Sequence, residues 1–490
     1  MNQNPVINQI KVRGAFKRLI NLSLAGVCLA LEILIFTYFY LNDIYPSMQV
    51  AIGLNYWFNG YLLQIVVYGA LLFFFSHMYG GLQLGFLKNA ELIFSQIFAT
   101  LIVNVFMYAQ MSLMVTRFFY PVPFIEMTIW QAISILVWIH IATRIYQHIF
   151  PPRKLLLLHG DRPIQDILRK FQSRKDKYTI VNCMHVNAGM EALKKEIMCG
   201  YETGRFSAVV IWDTTSEERN QLVKFCYAHS IRTYTMPKVT DVILLGAEEL
   251  HLFDTPLLLT REYSMTMEQR FMKRLIDIIC SLILLILASP FMLITALAIK
   301  LYDGGPVLYK QIRCTEGGRE FRIMKFRSMR TDAEKDGVAR LAKKNDDRIT
   351  PIGHFIRKVR IDELPQLINI LRGDMSFIGP RPERPQIIAQ YVEIMPEFAY
   401  RMKVKAGLAG YAQVYGKYNT TPYDKLKLDL TYIENYSLWL DFKLMLVTLK
   451  ILFWPDSTEG VESEQVTAFK EEYLKVHQMA EREEAKKEKE

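Results

Sequence analysis

The chain has 490 residues and a mass of 57.2 kDa, with 59 Lys and Arg against 49 Asp and Glu, a net charge of +10 and a pI near 9.1. Apolar residues make up 51%, which can bury a core and excludes intrinsic disorder. Residues 1–150 hold only seven bases (Lys11, Arg13, Lys17, Arg18, Lys88, Arg117, Arg144) and four acids (Glu32, Asp43, Glu91, Glu126). A soluble domain carries roughly 25% charged residues, so one uniform soluble domain is excluded and about three domains are expected.

Four apolar stretches reach the spanning length of about 20 residues: Leu19 to Leu41, Ala51 to Ser76, Leu92 to Val115 and Phe124 to Arg144. The first is too long for a removable signal peptide and lacks a small-residue cleavage site. Lys11, Arg13, Lys17 and Arg18 precede it, the loop from Asn42 to Val50 holds Asp43 and no base, and Arg144, Arg153 and Lys154 follow the fourth span. The positive-inside rule places both ends of this bundle in the cytoplasm, with Arg117 dissenting. Only Glu32 and Glu91 offer intramembrane charge, which argues against a transport path.

After Pro151-Pro152, Lys154–Asp161, Tyr178–Val186 and Phe206–Asp213 read as short buried strands, separated by helical patterns at 163–174, 188–198 and 216–229. This alternation predicts a parallel, doubly wound sheet. The first turn, His159-Gly160-Asp161-Arg162-Pro163, has one glycine where a dinucleotide fingerprint needs several, and Asp161 opposes a phosphate. A structural or regulatory Rossmann-like module is the better reading. None of the six cysteines forms a CxxC pair, so no disulfide framework or zinc site is expected.

Ile278 to Ile299 is 22 residues without a charge. Taken alone it is a fifth span. Ser289-Pro290 sits at its centre, where proline removes a backbone bond. Both flanks are basic: Lys273 and Arg274 before, candidates for lipid head groups, and Lys300, Lys310 and Arg313 after. A re-entrant helix broken at Ser289 and Pro290 satisfies both facts and holds the next segment against the bilayer.

Asp303-Gly304-Gly305-Pro306 reads as a turn and Val307–Ile312 as a strand. Phe321–Met329 (FRIMKFRSM) is a second strand, and period two puts Lys325 and Arg327 on one face, where a planar fork and a point charge can hold a diphosphate. Arg360-Ile361-Asp362-Glu363-Leu364-Pro365-Gln366-Leu367 opens a helix running to about Leu371. Adjacent carboxylates there are commonly caps. Beside Arg357, Lys358 and Arg360, however, a carboxylate stays ionised and can attack phosphorus or bind Mg²⁺. In Gly373–Pro382 (GDMSFIGPRP), prolines on both sides restrict Arg381, which suits a fixed oxyanion.

These pieces in this order, a membrane-docked segment, then KFRSM, IDELPQL and GDMSFIGPRP, resemble the bacterial sugar transferase family of polyprenyl-phosphate hexose-1-phosphate transferases. The resemblance covers about 265–455, including Lys273-Arg274-Leu275-Ile276-Asp277 and Ser289-Pro290. The bundle and the Rossmann-like module resemble the large subclass that initiates exopolysaccharide, capsule or O-antigen assembly. The resemblance implies transfer of hexose-1-phosphate from a UDP-hexose (UDP-glucose or UDP-galactose) to undecaprenyl phosphate, with release of UMP. By the same match Asp362 is the nucleophile of a phosphosugar–aspartyl intermediate and Glu363 its partner, both working with Mg²⁺. Lys325, Arg327 and Arg381 match phosphate-binding positions, and Asp429 matches an acid frequent in the family.

The expected architecture is a membrane α-helical bundle of four spans (1–150), a Rossmann-like α/β module (151–260), a re-entrant helix (261–301), a monotopic α/β catalytic domain (302–458) and a charged tail (459–490). Phe442 to Trp454 reads as an interfacial helix, with a buried-core helix as its rival. The expected location is the bacterial inner membrane, with a cytoplasmic site among membrane lipids. A homodimer is left open, and no nucleic-acid motif is found. The rival readings are a nucleotide-sugar oxidoreductase or epimerase working through the middle module, and a non-catalytic membrane scaffold.

Overall fold

The computed structural model describes residues 5–52, 60–252, 254–260, 265–331, 346, 348–416 and 420–453. The charged tail expected at 459–490 lies outside them. The chain divides into two compact units, Met1–Met236 and Pro237–Glu490. Among the described residues, five helical stretches are long and apolar enough to cross a membrane: Phe16–Met48, Gly60–Tyr79, Asn89–Val115, Val122–Ile149 and Met267–Asp303.

In the first unit, α1 (Pro5–Phe39) runs through a π-helical turn, Tyr40–Ile44, into α2 (Tyr45–Ile52). The loop expected from Asn42 to Val50 is therefore helical. The widened turn accommodates Pro46, which has no N–H for the regular ladder. Helices α3 (Gly60–Tyr79), α4 (Asn89–Val115) and α5 (Val122–Ile149) complete the bundle. Its interior is aromatic and Met-rich, with Phe36 stacked on Tyr68 at 3.8 Å beside Met107, Met111 and Met127. A polar seam crosses it. Buried Glu32 accepts from Gln96 (2.7 Å) and from the Thr100 hydroxyl, and Gln131 donates to Tyr68 Oη (2.7 Å) and to the Glu32 carbonyl (3.1 Å). In hydrocarbon such groups must find partners inside the protein.

The same unit continues with β1 (Arg153–His159), α6 (Gln165–Gln172), β2 (Tyr178–His185), α7 (Met190–Glu202), β3 (Ala208–Trp212), α8 (Ser216–Ala228) and β4 (Arg232–Thr235). The sheet is parallel in the order β2-β1-β3-β4, with Leu155–Leu158 buried at its centre. Sequence reading missed β4, which is short and polar. Gly160 is required sterically, because a Cβ there would stand 1.9 Å from the Asp213 carbonyl oxygen. All six cysteines are free.

The sheet closes at Thr235, and residues from Pro237 onward pack with the second unit rather than with a module ending at 260. The cause is the apolar face of α9 (Val239–Leu245), whose Val239 and Val242 enter the core of that unit. A hairpin of β5 (Glu248–Leu252) and β6 (Thr255–Leu259) follows.

Helix α10 (Met267–Asp303) starts at a capping box between Thr266 and Gln269. Its helical conformation continues through Ser289-Pro290, so the expected break does not interrupt the helix. The Ser289 hydroxyl bonds the Ile286 carbonyl at 2.8 Å. Next come an antiparallel pair, β7 (Leu308–Cys314) and β8 (Glu320–Phe326), then α11 (Pro351–Lys358), a 3₁₀ turn at Ile361–Glu363 and α12 (Gln366–Arg372). A short parallel pair joins β9 (Ser376–Ile378) to β10 (Gly407–Ala409) across α13 (Pro385–Ile394). Helices α14 (Tyr411–Tyr415), α15 (Pro422–Glu434) and α16 (Leu438–Leu452) finish the unit. The last helix answers both readings of 442–454: Leu444 and Asp441 are buried, while Trp439, Phe442, Leu449 and Phe453 are exposed. Trp454 lies outside the described residues.

The first turns of α10 are fastened to protein. Lys273 Nζ donates to Asp441 Oδ2 (2.6 Å), the Ile378 carbonyl (2.9 Å) and Tyr432 Oη (3.1 Å). Arg274 closes the C-terminus of α12 through the carbonyls of Ile370 and Leu371, both at 2.6 Å. Asp277 Oδ1 accepts from Phe377 N (2.9 Å) and Ser376 Oγ (3.0 Å). Lys273 and Arg274 therefore bind protein groups and not lipid head groups: a buried lysine needs a counter-ion, and Asp441 supplies it. Lys273→Ala leaves Asp441 buried without its cation and is expected to cost about 3–5 kcal/mol, read as a lowered melting temperature in detergent. An unchanged melting temperature would return Lys273 to the lipid surface.

Candidate active site

The candidate site forms where α11 turns into α12. Arg360 occupies the left-handed region (φ +59°), which bulky residues visit only under constraint. The 3₁₀ turn that follows, rather than the regular helix expected from Arg360, sets Asp362 and Glu363 on different partners. Asp362 is 9% exposed, and its Oδ1 has no hydrogen-bond partner. Glu363 is enclosed by cations: Lys325 Nζ at 2.9 Å and Arg381 at 3.7 Å from Oε1, and Arg360 at 3.7 Å from Oε2. Lys325 is held in reach by Asn369 of α12, which accepts from Met324 N (3.0 Å) and donates to the Arg322 carbonyl (2.9 Å).

The two carboxyls titrate apart. Burial, with Glu363 adding to it, pushes Asp362 up to about 6 against the pull of Lys325, Arg357 and Arg360. Burial would lift Glu363 as well, but Lys325, Arg381 and Arg360 hold it well below the usual carboxylate range. One carboxylate is neutralised by its surroundings, and the other keeps an open oxygen beside spare positive charge. Such an oxygen can bond to phosphorus or to a cation.

Arg381 stands in the loop Gly379-Pro380-Arg381-Pro382, pressed against its neighbour strand: a Cβ on Gly379 would lie 2.3 Å from the Lys405 carbonyl oxygen. Arg401 fixes the loop by donating to the Arg381 carbonyl (3.2 Å), and Arg313 donates to that of Pro382 (3.1 Å). Asp429, 1% exposed, is the counter-ion of Arg401 at 2.7 and 3.0 Å. It therefore supports the loop from behind and does not meet phosphate. Arg327 is not at the dyad either. It is buried, pairs with both oxygens of Asp303 and donates from Nε to the Pro306 carbonyl (2.7 Å). It lies beyond the end of β8, so the period-two face expected for Lys325 and Arg327 does not bring them together. The structure thus gathers Asp362, Glu363, Lys325 and Arg381, and sends Arg327, Asp429, Lys273 and Arg274 to structural ion pairs and caps. Sequence reading missed Arg401 and Asp303. Asp303 stood in a turn motif with no visible partner, and Arg401 carried no local signal.

Among the described residues no group of three or more His, Cys, Asp or Glu side chains forms a metal centre. The donor set fits Mg²⁺ through the Asp362 carboxylate together with oxygens of a bound phosphate, the manner in which Mg²⁺ is commonly held, since Glu363 is already taken up by its three cations.

Residues 268–455 match the family model described as bacterial sugar transferase. A UDP-glucose:undecaprenyl-phosphate glucose-1-phosphate transferase of Caulobacter vibrioides is 40% identical over 190 residues, 38% of this chain and 71% of that protein. The chain belongs to the bacterial sugar transferase family. Another relative, a UDP-N-acetylgalactosamine-undecaprenyl-phosphate N-acetylgalactosaminephosphotransferase of Aeromonas hydrophila, is 45% identical over 185 residues, 37% of this chain. An undecaprenyl-phosphate galactose phosphotransferase of Salmonella typhimurium is 33% identical over 273 residues, 52% of this chain. The chain spans 44% and 56% of the length of these two relatives. The sugar transferase segment contains the dyad, the cation cluster and all of α10 from Glu268.

Because the folded-state pKa of Asp362 is raised, the folded chain binds this proton more tightly than the unfolded chain between about pH 4 and 6. The contribution of the group to stability falls as pH rises through that window and stays unfavourable above it, by on the order of 3 kcal/mol. Asp362→Asn is therefore expected to raise the melting temperature at pH 7.5 by a few degrees. A clear fall would make the carboxylate part of the structural framework.

Proposed function

We propose that this protein is a membrane-bound phosphoglycosyl transferase moving hexose-1-phosphate from a UDP-hexose to undecaprenyl phosphate, with release of UMP. The observation that carries the reading is a buried carboxylate with a free oxygen, Asp362, next to a glutamate that gathers three cations. Asp362 attacks the phosphorus that bears the sugar: an aspartyl O–P bond forms, the P–O bond to UMP breaks, and its electron pair leaves on UMP. The phosphate oxygen of the lipid then attacks the same phosphorus and frees Asp362. Covalent catalysis lets a soluble donor and a lipid acceptor use one centre in turn. Lys325 and Arg381 take up charge that develops on the transferred phosphoryl oxygens, and Glu363 keeps those cations converged. Asp362 would hold Mg²⁺ beside the substrate phosphates, and the ion would supply further positive charge against the diphosphate.

In this reading residues 1–150 cross the bacterial inner membrane four times, the sugar transferase segment lies on its cytoplasmic face, and α10, bent at Pro290 without losing its helical conformation, enters and returns. A 37-residue helix is about 55 Å long when straight, against a hydrocarbon core of about 30 Å. Its start bonds to α12 through Arg274 and its end to Arg327 after β8, and Asn369 joins α12 to β8. Two ends fastened to one body favour re-entry over a span. The step would begin exopolysaccharide, capsule or O-antigen assembly. UDP-glucose or UDP-galactose is the proposed donor; one relative's name prints UDP-glucose and another's prints galactose.

Purified full-length protein with Mg²⁺ and undecaprenyl phosphate is expected to release UMP from at least one UDP-hexose of a panel. No release from any would refute the transferase reading. Asp362→Asn is expected to lower that rate by about 10³-fold or more; substantial turnover would remove its nucleophilic role. In a cysteine-depleted background, Leu301→Cys, whose parent side chain is 84% exposed, should react with an impermeant maleimide only from the cytoplasmic side. Reaction from outside would make α10 a span.

A further inference from the structure

Helix α11 lies against the apolar part of α10. Its Ile352 and Ile356 cluster with Met292, Ala296 and Ile299, one stripe within the charge-free segment 278–299, and with Ile361 beside the dyad. Neighbouring Ile294 and Leu297 of α10 are bare, 65% and 55% exposed, as expected of residues that face hydrocarbon. A helix packed on this stripe shares its depth, at the edge of the bilayer.

The outer side of α11 is apolar as well. Phe355 is 63% exposed and Val359, at the end of the helix, 44%. Four residues apart, they lie on one face. Exposed apolar side chains scattered singly are ordinary. A pair on one face at bilayer depth asks for an apolar partner, because α11 already meets its own core through Gly353 and Ile356 on the other side. Arg357 and Lys358 occupy the last turn, between Phe355 and Val359 in sequence. Arg360 follows and is engaged by Glu363 at 3.7 Å. Asp362 stands three residues beyond Val359, in the turn that packs on α11. An apolar face, cations beside it and a nucleophile just past them suit a ligand built as a hydrocarbon chain ending in a phosphate.

We propose that Phe355 and Val359 seat the isoprenoid chain of the acceptor lipid next to its phosphate, so that the head group passes Arg357 and Lys358 on its way to the dyad. This rests on phosphoglycosyl transfer to undecaprenyl phosphate. Ordinary phospholipid also offers hydrocarbon to such a face, and the experiment separates the two.

One arm measures UMP release by full-length wild type, Phe355→Ser and Phe355→Leu. Loss of a large apolar contact is expected to raise the KM for undecaprenyl phosphate about tenfold in Phe355→Ser and leave the KM for UDP-hexose unchanged, with Phe355→Leu close to wild type. The melting temperature should hold, since the side chain is exposed. An unchanged KM for the lipid overturns the inference. So does an equal rise in both KM values, which would make α11 a support of the dyad turn. The other arm needs no turnover. A diazirine amino acid placed at Phe355 is irradiated in nanodiscs of phosphatidylethanolamine and phosphatidylglycerol with a minor share of undecaprenyl phosphate. Crosslinks to undecaprenyl phosphate well above its share of the lipid are expected, and crosslinks merely in proportion to that share overturn the inference. If wild type releases no UMP, the transfer reading falls, and the crosslinks still decide what covers Phe355.

Discussion

The ion pair between Lys325 and Glu363 organises the candidate site. Two adjacent carboxylates in a buried turn would repel each other and share whatever cations were near. Here the sharing is unequal. The 3₁₀ turn gives Glu363 three cations at 2.9–3.7 Å and leaves Asp362 with an unpartnered oxygen. Because Glu363 is satisfied, the cations do not collapse onto Asp362, and the neighbouring carboxylate keeps the lone pair that bond formation requires. The αL conformation of Arg360 is part of this division, since it brings the chain from α11 into the turn.

That arrangement depends in turn on how α10 is fastened. Lys273, Arg274 and Asp277 join its first turns to β9, α12 and α16, and Asp303 joins its end to Arg327. Each tie uses a charged or backbone group that would be expensive to leave unpaired in a buried place. The elements so tied are those that carry the site. Helix α12 follows the dyad, β8 carries Lys325, and β9 leads into the Gly379–Pro382 loop. The membrane helix is therefore part of the frame that spaces the cations.

These ties explain what was readable in sequence and what was not. Asp362, Glu363, Lys325 and Arg381 stand out because each lies in a short motif whose residue types suit a diphosphate. Arg327 lies in the same motif as Lys325, and the motif alone gives both the same role. Its partner Asp303 stands 24 residues earlier, and nothing in strand periodicity announces that contact. Lys273 and Asp441 are separated by 168 residues, so only the fold could turn a lipid-facing lysine into a buried one. Asp429 was more accessible to reasoning. Leu426, Leu430 and Ile433 form the apolar stripe of α15, and Asp429 falls within it, which is a buried position on a helical wheel. The bundle and the parallel sheet were legible from hydropathy and period. The π-helical turn after α1 and strand β4 were not, because one is a single added residue in a helix and the other is short and polar.

Asp362 is an ionisable group kept from water with one oxygen unpartnered. Folding alone does not favour its charged form, since burial opposes it. Other charges of the same unit are matched: Asp429 by Arg401, Asp303 by Arg327, Asp441 by Lys273. The Arg381 guanidinium faces Glu363, the neighbour of Asp362, while Arg401 fixes the Arg381 carbonyl. A phosphate entering there would offer an electrophilic phosphorus to the carboxylate and oxyanions to Arg381 and Lys325. Natural sequences give up stability mainly at functional sites, and the unpartnered oxygen of Asp362 locates that concession in the sugar transferase segment.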